Sequence, residues 1–137
     1  RFEVLKVMQE KGIPTVVWLS PILPYINDTM ENIQGILEYC AQAGVYGIIC
    51  FGMGMTLRQG DREYYYAALD RHFPGLHEKY RRRYGYDYEI PSDRSRELMS
   101  YFHAFCRKNG IVDNYERVFE YLREFPENKG YEQLSLF

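Results

Sequence analysis

The sequence predicts an α/β fold with a parallel sheet, and three observations carry that prediction. Two short apolar runs rich in β-branched residues, 13–20 and 45–51, each follow an amphipathic helical segment. A glycine, Gly12 or Gly44, stands at each helix exit, where a left-handed residue readily ends a helix. The order helix, strand, helix, strand implies right-handed βαβ connections. Runs that are apolar at nearly every position suit strands buried on both faces, as parallel strands are. Two strands do not make a stable parallel sheet alone. Strands from elsewhere are expected on at least one edge, as in a piece of a larger β/α barrel or open sheet.

Each element has its own warrant. Residues 2–11 place Val4, Leu5, Val7 and Met8 on one helical face, and Gly12 ends the helix. The strand at 13–20 is followed by Pro21 and Pro24, which break residues 21–27 into a loop. The next helix starts at Asp28, which is placed to cap it, with Glu31 completing a capping-box-like pair. Its apolar face is Ile33, Ile36, Leu37, Cys40 and Ala41. After the strand at 45–51, Gly52 and Gly54 mark a flexible exit over 52–56. A helix at 61–73 offers Tyr64, Tyr65, Ala68, Leu69 and Phe73 for packing, and Pro74-Gly75 punctuates. A short helix at 76–84 leads to a loop over 85–91. A long helix follows Ser92, with Leu98, Met99, Phe102, Phe105 and Cys106 on one side. A last helix spans 114–125. The tail, 126–137, is polar until its final five residues.

Composition excludes several classes. The 137 residues suit one domain or one piece of a larger one. With 46% apolar and 26% charged residues, disorder across the whole chain is not expected. A net charge of -2 excludes a globally basic nucleic-acid binder but not a local basic patch. No apolar run reaches the length of a transmembrane helix, and no signal peptide is expected. The first residue is Arg1, not Met, so an upstream part is expected. Cys40, Cys50 and Cys106 each sit in an apolar segment and cannot all pair, which reads as reduced thiols in a cytoplasmic protein. Their spacing fits no zinc or iron–sulfur pattern. Tyrosine is the outlier, with 14 residues.

Several motifs then converge. Arg1-Phe2-Glu3-Val4-Leu5-Lys6 opens a helix, and Gly12-Ile13-Pro14-Thr15-Val16-Val17 leads into a strand. Ser20-Pro21-Ile22-Leu23-Pro24-Tyr25-Ile26-Asn27-Asp28 forms the strand exit. Ala41-Gln42-Ala43-Gly44-Val45 leads into the second strand, and His72-Phe73-Pro74 closes the following helix. Together these resemble the last third of the radical S-adenosylmethionine barrel in the spore photoproduct lyase-like, or DNA repair photolyase-like, family. The resemblance covers residues 1–80 and is weak beyond.

The resemblance implies a partial (β/α)6 TIM-like barrel. The two strands would be its fifth and sixth, and the helix at 2–11 its fourth. Residues 1–75 would be the C-terminal part of the barrel, 76–125 a helical extension and 126–137 a tail. It also implies a [4Fe-4S] cluster and S-adenosylmethionine, reductively cleaved to a 5′-deoxyadenosyl radical. The family's CxxxCxxC motif is absent here, so no iron ligand carries over, and this chain alone is expected to hold no cluster and be inactive.

Active sites of β/α barrels gather at the C-terminal ends of the strands. By that analogy residues 18–24 and 50–55 would cover S-adenosylmethionine. Gly52 and Gly54 would allow close backbone approach to the nucleoside, and Leu19, Pro21 and Ile22 would supply apolar cover for adenine. Cys50 ends a strand; the family's thiol hydrogen donor lies upstream, so Cys50 reads as a core residue.

Two further segments bear on partners. Lys79, Arg81, Arg82 and Arg83 alternate with tyrosines and could grip nucleic acid, with Arg on phosphate and Tyr on bases. The other reading is a solvated helix face with tyrosines packed beneath. The terminal Gln133-Leu134-Ser135-Leu136-Phe137 resembles the peptide by which bacterial polymerases and repair proteins dock on the sliding clamp. Gln133 would fix register, and Leu134, Leu136 and Phe137 would fill a groove. The same tail could instead cover the protein's own surface. His72, His77 and His103 lack convergent ligands for a metal site. Asp61, Glu63 and Asp70 form no acid–base pair by spacing, and Ser20 is in no nucleophile elbow.

The expected function is the C-terminal part of a radical S-adenosylmethionine enzyme acting on nucleic acid or another substrate. Its partner would be the upstream remainder of the barrel. The alternative is a non-catalytic interaction domain that recruits a replication or repair partner through the tail. Self-association through an exposed barrel edge is a further expectation.

Overall fold

The computed structural model describes residues 1–124. The elements run α1 (Phe2–Glu10), β1 (Val16–Trp18), α2 (Met30–Gln42), β2 (Gly47–Ile49), β3 (Gly54–Thr56), α3 (Asp61–His72), α4 (Leu76–Tyr84), β4 (Glu89–Pro91), α5 (Ser95–Asn109) and α6 (Tyr115–Arg123). The class is mixed α/β. Among the described residues the strands form two small sheets and close no barrel. No helix among them is long and apolar enough to cross a membrane.

β1 and β2 are parallel, with Val17 opposite Ile48, and α2 is their crossover. The strands are shorter than the apolar runs that announce them; Pro14, in the first run, has no N–H to offer a ladder. The sheet also goes one residue further. Gly47 bridges in parallel to Val112. The Ile48 N–H donates to the Val112 carbonyl at 2.8 Å, and the Val112 N–H to the Tyr46 carbonyl at 3.0 Å. A third parallel segment therefore follows α5. It leaves no run to detect, because Asn114 already caps α6 by accepting from the Arg117 N–H at 3.1 Å.

The first core lies around this sheet. Leu19, Ile22, Ile33, Leu37, Cys40, Ile48, Met53, Leu98, Phe102, Cys106 and Ile111 are buried together. Ile33, Leu37 and Cys40 are one face of α2, while Leu98, Phe102 and Cys106 repeat every four residues along α5.

The segments 52–56 and 85–91, expected as a strand exit and a loop, require correction. β3 and β4 pair antiparallel, with Met55 opposite Ile90. Gly54 permits that pairing: a Cβ there would sit 2.6 Å from the Ile90 carbonyl oxygen and 2.9 Å from the Pro91 Cα. Between these strands α3 and α4 enclose a second core of Leu57, Tyr66, Leu69, Tyr80, Tyr84 and Ile90. The Tyr80 hydroxyl donates to the Pro24 carbonyl at 2.6 Å and accepts from the Tyr65 hydroxyl at 3.0 Å. The Tyr84 hydroxyl donates to the Pro91 carbonyl at 2.6 Å.

Arg62 is buried in the same lobe. Its guanidinium donates to the carbonyls of Leu57 and Tyr86 at 3.1 Å, Asp87 at 2.5 Å and Gly85 at 3.4 Å. Four carbonyls converge on one cation, so the charge is solvated by the main chain it folds.

The cap of α2 is also corrected. Thr29, not Asp28, accepts from the Asn32 N–H, at 3.2 Å. Asp28 is buried and instead accepts from the Ser92 hydroxyl at 2.5 Å. It thereby ties the exit of β1 to the start of α5.

Candidate functional site at the strand ends

The C-terminal ends of β1, β2 and the Val112 segment each present an aromatic ring. Trp18 is 57% exposed, Phe51 62% and Tyr115 46%. Trp18 meets Phe51 edge-on with centroids 5.5 Å apart, and Phe51 meets Tyr115 at the same 5.5 Å. Solvent-exposed rings in a continuous row mark a surface that gains by being covered. Beside the row lies a groove of about 520 Å³, floored by β3 and β4 and lined by Trp18, Ser20, Phe51, Gly52, Met53, Gly54, Met55, Glu89, Pro91 and Ser95. That volume lies within the range of small-molecule sites.

Local sequence explains how the groove is held open. Gly52 has φ of +151°, and the space where its Cβ would stand is empty, so the backbone itself faces the groove. Ser95, in the first turn of α5, accepts from the Met53 N–H at 3.3 Å. On the other flank, the Asn27 side chain accepts from the Leu23 N–H at 2.6 Å, and Asn32 donates to the Asn27 carbonyl at 2.8 Å. These bonds rigidify the exit of β1.

Of the five residues expected to cover a cofactor, Gly52 and Gly54 line the groove. Leu19 and Ile22 do not: both are buried in the first core, and the Ile22 N–H donates to the Gly54 carbonyl at 2.9 Å. Pro21 is exposed and lies off the groove lining. Leu19 and Ile22 therefore support the site from beneath. Gly54 has a second duty, since its missing side chain is what lets β4 approach. Trp18, Phe51 and Tyr115 were not singled out from sequence. The signal was present at two of them, an aromatic directly at the end of each apolar run.

The basic segment is spread along α4. Lys79, Arg81, Arg82 and Arg83 are all exposed. Lys79 Nζ lies 3.6 Å from the centre of the Tyr25 ring, a cation–π contact. Arg82 pairs with Glu78 at 2.9 Å and Arg83 with Asp93 at 3.0 Å. Asp93 also accepts from the Tyr25 hydroxyl at 2.6 Å. That hydroxyl, then Arg83, holds the Asp93 carboxyl below its ordinary range. Tyr80 and Tyr84 are buried beneath the same helix. Residues 133–137 lie outside the described residues.

The three thiols do not converge on a metal. Cys40 and Cys106 are buried, and burial pushes them up to about 11 and about 12. Cys50 is half-buried, raised by burial, with its sulfur 3.7 Å from that of Met99. Among the described residues no group of three His, Cys, Asp or Glu side chains could hold a metal ion. This donor set does not fit a [4Fe-4S] cluster. A second cleft of about 470 Å³ lies between the C-terminal halves of α2 and α5, lined by Glu38, Tyr101, Phe105 and Lys108. It sits at the opposite ends of the helices from the strand exits and carries no convergent chemistry.

No family model matches the chain, and no solved structure matches it. Over 84 residues, or 61% of its length, it is 30% identical to uncharacterized proteins of Mycobacterium tuberculosis and Mycobacterium bovis. The chain spans 24% of the length of these curated relatives.

Proposed function

We propose that this chain is the C-terminal part of a radical S-adenosylmethionine enzyme of the photolyase-like kind, and that its strand-end groove receives the adenosyl end of S-adenosylmethionine. The observation that carries the reading is the groove itself. An aromatic row and an open glycine backbone stand at the C-terminal ends of parallel strands, where α/β folds bind ligands. Trp18 and Phe51 offer faces for a planar base, Gly52 offers approach to main-chain groups, and Ser20 and Glu89 offer hydrogen-bond partners. A [4Fe-4S] cluster, which the residues of this chain do not hold, would have its ligands elsewhere in the longer protein and would supply one-electron reducing power there. The residues of this chain position the nucleoside and exclude water. The substrate belongs to the same proposal as a nucleic acid or another molecule bearing an abstractable hydrogen.

The test is anaerobic reconstitution with iron and sulfide of the longest form the source makes, beside the 137-residue chain. The expected result is iron–sulfur absorbance and 5′-deoxyadenosine from the long form and neither from the short one. In the long form, Trp18→Ala should raise the KM for S-adenosylmethionine about tenfold, the loss of one stacked base at ~1–3 kcal/mol, with cluster absorbance retained. No cluster in any form would overturn the reading.

A further inference from the structure

We propose that the last four residues, Leu134-Ser135-Leu136-Phe137, dock on their own chain, in an apolar trough between the open face of β1 and the flank of α6, and there shield Trp18. A tail seated there competes with a nucleoside for Trp18, and in that competition the inference rests on the cofactor reading. The docking itself needs no cofactor.

The trough follows from the register of the parallel sheet. Successive side chains of a strand point to opposite faces. Val17 and Ile48, which pair, face the first core of α2 and α5. Val16 with Gly47, and Trp18 with Ile49, therefore face the other way. α6 lies on that second face. A Cβ on Gly47 would stand 3.0 Å from Val118 Cγ2. Val118 is fully buried, yet it belongs to neither of the two cores. Tyr115 meets Phe51 at the C-terminal ends of the strands, and Tyr121 stacks on Tyr46 at 4.1 Å just before β2. α6 thus runs down the face of β2, and the same face of β1 is left with Trp18 exposed and Val16 half-buried.

The helix uses only half of its apolar arc. Val118 and Tyr121 meet the sheet segment. Tyr115, Phe119 and Leu122, at i, i+4 and i+7, form a second stripe beside them. Tyr115 and Leu122 are exposed and Phe119 is half-buried. Tyr115 reaches Trp18 through Phe51, so stripe and strand face make one continuous apolar surface.

The chain carries its own cover. Glu124 has left helical geometry, with ψ of 100°, at the end of α6 nearest Tyr46. From Arg123 back to Tyr115 is about 12 Å along the helix axis. Residues 124–133 span up to about 33 Å when extended. That is enough to turn and bring 134–137 beside both the stripe and Trp18. Residues 127–132 hold one large apolar side chain, Tyr131, whereas the last four residues hold Leu134, Leu136 and Phe137. The tether decides the occupant. A segment joined to its site by a short linker stands at an effective concentration of about millimolar. A second copy or a separate partner at ordinary concentration does not match it.

The experiment is acrylamide quenching of Trp18 in the 137-residue chain and in its Leu134→Ser, Leu136→Ser, Phe137→Ser triple variant. A contact of about millimolar strength is half occupied at that effective concentration, so releasing the tail should raise the quenching constant about twofold. Emission should shift to the red with it. Leu122→Ser alters the trough from the α6 side without touching either core. It should give the same rise, and adding it to the tail variant should change nothing more. Equal quenching in the chain and its tail variant overturns the proposal and leaves the tail free for a partner. Fully additive effects of the two variants overturn it as well. So does shielding that disappears on dilution, which would assign the trough to a second copy. In the longest form the source makes, the tail variant should bind S-adenosylmethionine about twofold more tightly, because the competent state is half populated with the tail present. Shielding without that gain leaves the docking standing and removes the nucleoside from Trp18. Binding of S-adenosylmethionine at Trp18 without shielding by the tail does the reverse.

Discussion

Around Phe102 the interior is aliphatic, built from α2, α5 and the parallel strands; around Tyr80 it is built from tyrosine rings whose hydroxyls end on main-chain carbonyls. The first core is held by apolar burial, which is non-directional and tolerates exchange among residues of similar volume. The second is held by directional bonds from Tyr80, Tyr84 and Arg62 to particular carbonyls. The groove lies where the two meet, with β1 and β2 on one side and β3 and β4 on the other. One wall is thus set by packing and the other by hydrogen bonds. A variant that loosens the tyrosine lobe should change the groove before it unfolds the sheet.

The largest expected effect falls in the aliphatic core. Phe102→Ala should cost about 3–5 kcal/mol in urea unfolding, because it removes a fully buried ring. Phe102→Leu should cost much less. Arg62→Met should cost about 2–4 kcal/mol, since it strands four carbonyls that share one cation. Its signature differs from that of Phe102→Ala: amide protection should fall over 53–91 while α2 and α5 keep theirs. Equal loss in both regions would break the two-core comparison. Tyr80→Phe should cost about 1–2 kcal/mol by deleting one buried hydroxyl between Pro24 and Tyr65.

Alkaline titration sharpens the contrast. Burial raises the pKa of Tyr80 and Tyr84 above the ordinary value of 10. The unfolded tyrosines ionise first, so their contribution is present below about pH 10 and is lost as pH rises further, at about 1.4 kcal/mol per pH unit for Tyr80. The thiols of the other core behave alike from their ordinary value of 9 up to about 11 for Cys40 and about 12 for Cys106. Replacing Cys40, Cys50 and Cys106 together by alanine should remove the part of the stability loss that begins near 9 and leave the part that begins near 10. The smallest effect belongs to Asp93→Asn, an exposed pair expected to contribute less than about 1 kcal/mol. The Asp93 carboxyl is held below its ordinary value, so that contribution is present above about pH 4 and is lost as pH falls through the folded pKa.

The difference between the cores also explains what was legible in the sequence. Ile33, Leu37 and Cys40, or Leu98, Phe102 and Cys106, sit on one helical face because burial selects that spacing, so the pattern announces the element. Tyr80 bonds to Pro24, 56 positions away, and Arg62 to Asp87, 25 away. Neither separation leaves a local period. For the same reason β3 and β4, three residues each, read as an exit and a loop until their pairing is seen. At the site, the apolar runs mark where β1 and β2 end, and Gly52 and Gly54, expected to approach a nucleoside, line the groove beside those ends. Leu19 and Ile22 were misplaced because an apolar residue at a strand exit can face either the groove or the core, and only the turn of the loop decides.

The most direct test of the strand-end site uses Trp18, the single tryptophan of the chain. S-adenosylmethionine is titrated into the longest form the source makes, and into its Trp18→Phe variant, and the difference in emission is taken as the Trp18 signal. A saturable change in that signal, at the concentration where calorimetry reports binding, is the predicted result. Calorimetric binding with the Trp18 signal unchanged would place the ligand elsewhere and contradict the account.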